Sequence, residues 1–186
     1  MATTIRLATP DDAAAWRAIV AEAANEGRVI LTWPQEVWSV EVARERLTAG
    51  GDVVSFVAER TADGTADGTA DGAPADGDGG AIAAHVIGVA ALIRAPRLGL
   101  AHVAEVALTV AGAARGAGVG RALMAQLEAE ARARGVAKLT LGVFADNVAA
   151  RGLYDSLGYT VEGTLRRHVR RPAGDLVDEV LMAKWL

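Results

Sequence analysis

The stretch Arg115-Gly116-Ala117-Gly118-Val119-Gly120-Arg121 restricts most narrowly what this chain can build. Three glycines at alternate positions leave successive backbone N–H groups uncovered by side chains. The residues before it, His102 to Val110, read as a strand. The residues after it, Val119 to Arg134, carry Leu123, Met124, Leu127 and Ala131 at helical spacing. The run therefore turns a strand into a helix. Bare N–H groups in such a turn form an anion-binding nest, and the helix that follows adds its positive end. With Arg115 and Arg121 contributing charge, phosphate or pyrophosphate is the natural ligand. A dinucleotide fingerprint would need glycine at 121, where Arg121 stands, and an acidic residue about twenty positions on. That region reads Leu139-Thr140-Leu141. A Walker loop would need a Gly-Lys-Ser/Thr ending, which the chain lacks. A tight turn without any ligand is the alternative.

The rest of the chain supplies short strands and helices in a definite order. Thr4 to Ala8 reads as a strand, and Pro10-Asp11-Asp12 opens a helix to about Glu26, with Trp16, Ile19 and Val20 on its apolar stripe. After Trp33-Pro34 a second helix runs from about Glu36 to Ala49. Strands follow at Val53 to Glu59, His85 to Arg94 and His102 to Val110. Beyond the helix from Val119, Lys138 to Phe144 is a strand and Asn147 to Leu157 a helix with Ala150, Leu153, Tyr154 and Leu157 as its stripe. Strands at about Thr160 to Arg170 and Val177 to Lys184 close the chain. The order β-α-α-β-β-β-α-β-α-β-β is an α+β pattern rather than a doubly wound one.

A chain of 186 residues with 52% apolar content is expected to form one domain, residues 1–186. Its aromatic content of 4% makes the core aliphatic. Residues 61–72 are three copies of Thr-Ala-Asp-Gly, followed by more Asp, Gly and Pro to residue 80. Nothing there can fill a core, so residues 61–80 read as a flexible loop inserted in a strand–strand connection. No cysteine is present, which excludes disulfides, thiolate metal sites and a cysteine nucleophile; no metal site is expected. A formal net charge of −4 argues against non-specific nucleic-acid binding. No run has the length of a signal peptide or a membrane span, so a cytoplasmic location is expected, with no membrane partner.

The glycine run and its surroundings resemble the GCN5-related N-acetyltransferase (GNAT) superfamily. Arg115, Gly118 and Gly120 match that family's acyl-CoA motif, Gln/Arg-x-x-Gly-x-Gly/Ala. Glu105 to Val110 is similar to the family's fourth strand. Leu141 to Asn147, Ala150, and Leu153-Tyr154-Asp155-Ser156-Leu157-Gly158-Tyr159 are similar to its fifth strand and following helix. The similarity covers most of the chain from about residue 85 onward.

The resemblance implies a central mixed, mostly antiparallel sheet of about seven strands with about four helices, in which two parallel strands splay into a V. It implies acetyl-CoA as acyl donor and a small amine or amino acid as acceptor, and homodimers are common in the family. The pantetheine arm would pair with strand four at Leu108, Thr109 and Val110, with the Leu108 N–H as oxyanion donor. The pyrophosphate would rest on Arg115, Gly116, Ala117, Gly118, Val119, Gly120 and Arg121, and Asn147 would bond the pantetheine amide. Tyr154 would be the acid for the leaving thiolate; a packed aromatic is the competing reading. Glu105 would be the base, with His102 as the other candidate and an arginine ion pair as the structural alternative for Glu105. Some ribosomal-protein acetyltransferases of the family carry a glutamate before the strand-five valine, but here that position is Gly142. For the acceptor, Arg166, His168 and Arg170 would share one hairpin face if the strand alternates regularly, near Arg167 and Arg171. Trp33 and Trp38 would line the acceptor pocket or the core. Acetylation of a protein N-terminus or lysine, and acyl-CoA sensing without turnover, are the alternative functions.

Overall fold

The computed structural model describes residues 2–30, 34–48, 51–61 and 86–186. Seven strands form one sheet: β1 (Ala2–Leu7), β2 (Val53–Thr61), β3 (Val86–Arg94), β4 (Val103–Val110), β5 (Lys138–Phe144), β6 (Thr160–Arg170) and β7 (Leu176–Trp185). The α-helices among the described residues are α1 (Ala13–Glu26), α2 (Val40–Thr48), α3 (Val119–Ala133) and α4 (Val148–Ser156). This is the expected α+β order, with each predicted element recovered to within a few residues. Apart from Thr61, which ends β2, the Thr-Ala-Asp-Gly repeat lies outside the described residues, as does Trp33.

The spatial strand order is β1-β2-β3-β4-β5-β7-β6. Every neighbouring pair is antiparallel except β4 and β5. Those two run parallel because α3 carries the chain back over the sheet between them. Their ladder holds only three residue pairs, Val103 with Lys138, Ala104 with Leu139 and Glu105 with Thr140. Beyond Glu105 the strands part.

Strand alternation assigns the two faces of the sheet. Val106 of β4, Ala90 and Leu92 of β3, and Phe56 and Ala58 of β2 turn toward α3, whose stripe Val119, Leu123, Met124, Leu127 and Ala131 is buried. Burying each large aliphatic side chain of such a stripe is worth about 1.5–3 kcal/mol. Tyr154 of α4 joins this cluster. Val57 and Val89 turn to the opposite face and pack under Ala15 and Ile19 of α1. β3, in the middle, is consequently buried on both faces over most of its length.

α1 is fixed to the sheet by one buried carboxylate. Asp12 is 1% exposed, in the 3-10 turn Pro10–Asp12 that leads into α1. It accepts two hydrogen bonds from the Arg6 guanidinium at 2.7 Å each, one from the Thr9 N–H at 2.7 Å and one from the Thr9 hydroxyl at 3.1 Å. Burial opposes ionisation of Asp12, but the Arg6 and Thr9 hydrogen bonds outweigh it and hold its carboxyl below the usual carboxylate range. Glu59 of β2 takes a further Arg6 N–H at 2.5 Å. The folded-state pKa of Asp12 is depressed, so its contribution to stability is present above the unfolded value near 3.9 and is lost as pH falls through the folded value. Asp12→Ala is expected to cost about 2 kcal/mol at neutral pH, because Arg6 keeps access to water and the residual charge is solvated. Urea unfolding of the two proteins at pH 7 checks this, and the difference should shrink in acid.

Candidate active site

The parting of β4 and β5 opens a cavity of 1010 Å3 that reaches both faces of the sheet. Its position follows from backbone geometry. The His102 carbonyl accepts the N–H groups of Ala137 and Lys138, so His102 directs its peptide groups toward β5. Alternation carries that direction to Ala104, Val106, Leu108 and Val110. Past Glu105 no β5 residue pairs with them. The polar backbone edge of Val106, Leu108 and Val110 therefore faces the gap. Side chains sort oppositely: Glu105, Ala107 and Thr109 project on the α1 and α2 face, and Leu108 and Val110 on the α3 and α4 face. All five line the cavity.

The glycine loop closes one end. Gly116 and Gly118 adopt φ of +77° and +83°, a left-handed region that a side chain disfavours. Gly118 is the N-cap of α3, so the loop's N–H groups and the helix's positive end converge there. Arg115, Gly116, Gly118, Gly120 and Arg121 line the cavity. Ala117 is exposed and Val119 is buried against α3's own core, so these two bring backbone rather than side chain to the loop. Gly120 is needed for a different reason. A Cβ there would lie 3.1 Å from Leu153 Cδ2 and 3.6 Å from Leu108 Cδ2, so the glycine lets α3, α4 and β4 meet. Gly120→Val is expected to overpack this contact and cost about 1–3 kcal/mol, read as a lower urea midpoint.

The arginines flanking the loop are both engaged. Arg115 forms a bidentate pair with Glu26, at 2.7 and 2.5 Å, and donates Nε to the Val110 carbonyl at 3.0 Å. That pair raises the Arg115 pKa and lowers that of Glu26. One turn earlier on α1, Glu22 accepts the Gly112 N–H at 2.8 Å. Two carboxylates of α1 thus hold the entry to the glycine loop. Arg121 donates to the Ser156 hydroxyl at 2.7 Å, tying α3 to α4. Asn147 caps α4, accepting the Ala150 N–H at 3.1 Å, and donates Nδ2 to the Val29 carbonyl at 3.4 Å while lining the cavity. Sequence reasoning assigned these side chains to ligand and could not see the intramolecular partners, because those come from α1, the 28–30 bend and the end of α4.

Tyr154 and Glu105 are brought to the same cavity from opposite faces. Tyr154 is buried beside Tyr159, ring centroids 5.8 Å apart, and burial pushes its phenol up to about 12. Glu105 is exposed to the cavity and, among the described residues, forms no ion pair or side-chain hydrogen bond, so the arginine pairing considered from sequence is absent there. His102 does not line the cavity; it stacks on Trp185, centroids 6.3 Å apart and 19° between planes. Trp38 lines the α2 side.

The hairpin arginines do not gather at the cavity. The β6–β7 register shifts between Leu165 and Val169, with Arg167 at φ +51°, so simple alternation fails. The Arg167 N–H bonds Asp178, His168 lies 3.8 Å from Glu179, Arg170 bonds the Gly174 carbonyl, and Arg171 bonds Asp146 and Asp175. None of these residues, nor Arg166, lines the cavity. What sequence reasoning missed is the opposite wall: Trp16, Arg17 and Val20 of α1 and Arg46 and Leu47 of α2. Their helical stripes were legible, but their approach to β4 depends on tertiary packing.

Comparison with known proteins agrees with this geometry. Residues 70–159 match the acetyltransferase (GNAT) family model. A ribosomal protein bS18 alanine N-acetyltransferase of Escherichia coli is 46% identical over 66 residues, which is 36% of this chain and 44% of that protein. The match therefore spans less than half the length of this relative. The crystal structure of a ribosomal-protein-alanine N-acetyltransferase from Brucella melitensis superposes with a TM-score of 0.75, at 28% identity, over 98% of this chain and 99% of that one. A GNAT superfamily phosphinothricin acetyltransferase from Sinorhizobium meliloti, solved with acetyl-CoA, shares the fold with a TM-score of 0.80, at 20% identity, over 100% of this chain and 89% of that one. No described helix is long and apolar enough to cross a membrane. The interrupted parallel ladder, the glycine loop at the head of α3 and these matches together identify residues 70–159 as an acetyltransferase (GNAT) family segment in a chain with the fold of GNAT structures.

Proposed function

We propose that the protein transfers acetyl from acetyl-CoA to the primary amine of a small molecule or amino acid, by direct attack on the thioester. The observation that carries this reading is the two-faced cavity, with the glycine loop and Tyr154 on the α3 and α4 side and Glu105 on the α1 and α2 side. The donor's diphosphate rests on the N–H groups of residues 115–121, with Arg115 acting through its pair with Glu26 to fix the loop. Its pantetheine arm completes the unpaired edge of β4 at Leu108, Thr109 and Val110, and Asn147 adds a side-chain contact.

The chemistry then needs two protons removed from the nitrogen, one before and one after attack, and one supplied to the sulfur. An alkylamine of pKa about 10.4 is largely protonated at neutral pH, and Glu105 takes its proton directly or through water. The amine nitrogen attacks the thioester carbon and the C–N bond forms. The Leu108 N–H holds the oxyanion. Collapse breaks the C–S bond, the thiolate receives its proton from Tyr154, and the nitrogen releases its second proton to water, from which the Tyr154 phenol is restored. A thiol has an ordinary pKa of about 8.5, and one formed in the same apolar cavity is raised toward that of the phenol, which makes the transfer feasible. A protein N-terminus is the second acceptor reading, favoured by the likeness to the E. coli ribosomal protein bS18 alanine N-acetyltransferase. Gly142, lining the cavity, leaves no carboxylate on β5 at that point.

Calorimetric titration with acetyl-CoA, followed by thiol release across amino acids, polyamines and N-terminal peptides, tests the proposal. Binding with amine-dependent release is expected. Binding without release from any amine favours a sensor, and absence of binding refutes the reading.

Tyr154 must be protonated to act, so its contribution is lost only as pH rises through its folded pKa of about 12. The pH–rate profile of kcat is expected to rise with deprotonation of the acceptor and to show no descending limb up to about pH 10. Tyr154→Phe should lower kcat about tenfold or more while leaving the calorimetric affinity for acetyl-CoA largely intact.

A further inference from the structure

The ionisable side chains lining the cavity divide into engaged and free. Arg115 is committed to Glu26 and Arg121 to Ser156, and Glu36 is already partnered. Arg17, Arg46 and Glu105 remain, and among the described residues none of the three makes an ion pair or side-chain hydrogen bond. Arg17 acts on Glu41 of α2 only through space, and Glu41 is fully solvated. The Arg46 guanidinium sits 4.0 Å from the centroid of the Trp38 ring. Such a contact orients the planar guanidinium and leaves its edge N–H groups free, in the geometry that accepts a carboxylate bidentately.

Arg17, Arg46 and Trp38 are all exposed, so they form the mouth of the cavity on the α1 and α2 side. Glu105 lies on the sheet wall. The sheet lining beside it is mostly apolar, with Val53, Val89, Ala91 and Ile93, and carries the hydroxyls of Ser55 and Thr109. Two cations at the mouth, apolar walls and one carboxylate beside the reacting position match a particular ligand. We infer that the acceptor is a small aminocarboxylate: its amine lies toward Glu105, its aliphatic or aromatic body against the apolar wall, and its carboxylate on Arg46 and Arg17. This deepens, and rests on, the acetyltransferase reading above. A polyamine would set its second cation against these arginines, a like-charge juxtaposition that disfavours it. Arg46 and Arg17 are thus specificity-determining residues that the hairpin arginines were expected to be.

The test uses matched acceptors, each with and without the carboxylate: L-leucine against L-leucinamide, and 6-aminohexanoate against its amide. For leucine the comparison is weighted against the inference, because the amide's amine is less basic and more of it is the neutral nucleophile. Thiol release by the wild-type protein should still favour at least one acid over its amide by tenfold or more in kcat/KM. Arg46→Gln should erase that preference through KM, and Arg17→Gln should reduce it, with circular dichroism showing both variants folded. Amides equal to or better than acids, release from no member of the panel, or a preference that survives both substitutions would overturn the inference. Failure of the underlying reading is distinguished by calorimetry: without acetyl-CoA binding the acetyltransferase proposal falls, whereas acetyl-CoA binding with release from amides alone removes only the carboxylate site.

Discussion

The structure depends on a ladder that stops. β4 and β5 share three residue pairs and then separate, and a peptide edge left unpaired in the middle of a sheet has to be satisfied by something. Neighbouring elements are arranged around that vacancy. β3 is buried on both faces and keeps β4 straight. β7, pairing with β5 along its whole length from Lys138 to Phe144, keeps β5 from following β4. α3 and α4 meet over Gly120 and close the gap on one side, while α1 and α2 border it on the other. An extended ligand with amide groups is the partner such an edge calls for, and the glycine loop lies where the edge ends.

α1 connects the two halves of the cavity. Its C-terminal turns hold Gly112 through Glu22 and Arg115 through Glu26, and its N-terminal turn is anchored by Asp12 to Arg6. The same helix presents Trp16, Arg17 and Val20 to the cavity. A displacement of α1 would therefore move the loop and the opposite wall together. Charge placed on Glu22 and Glu26 acts on the loop by gripping its entry, not by neutralising a ligand.

The fold was legible because local signals agreed with one another. The strand from His102 to Val110, the stripe of α3 and the strand from Lys138 to Phe144 each match their elements closely. The two-sided cavity was partly legible: the glycine run follows from spacing, Tyr154 and Glu105 follow only from the family resemblance, and the glycines and both side chains line the cavity. What was not legible depends on residues far apart in sequence. Glu26 and Arg115 are 89 positions apart, and no periodicity records their meeting. The reading of Arg166, His168 and Arg170 as one face failed because a register shift breaks the period of two on which that reading rests. His102 is a candidate base from sequence as one of only three histidines, but it stands before the ladder begins, exposed and stacked on Trp185.

The family match runs from residue 70 to 159. It encloses β3, β4, α3, β5 and α4, which build the sheet gap and the glycine loop, and it leaves α1 and α2 outside. The two walls of the cavity thus belong to different stretches of chain, joined through β2, the packing of α1 on β3 and the Glu22 and Glu26 contacts. Substitutions at Arg17 or Arg46 reshape one wall while Glu22 and Glu26 keep their hold on the loop. Such a chain is divisible position by position: wall side chains can be exchanged on helices whose other residues still carry the loop.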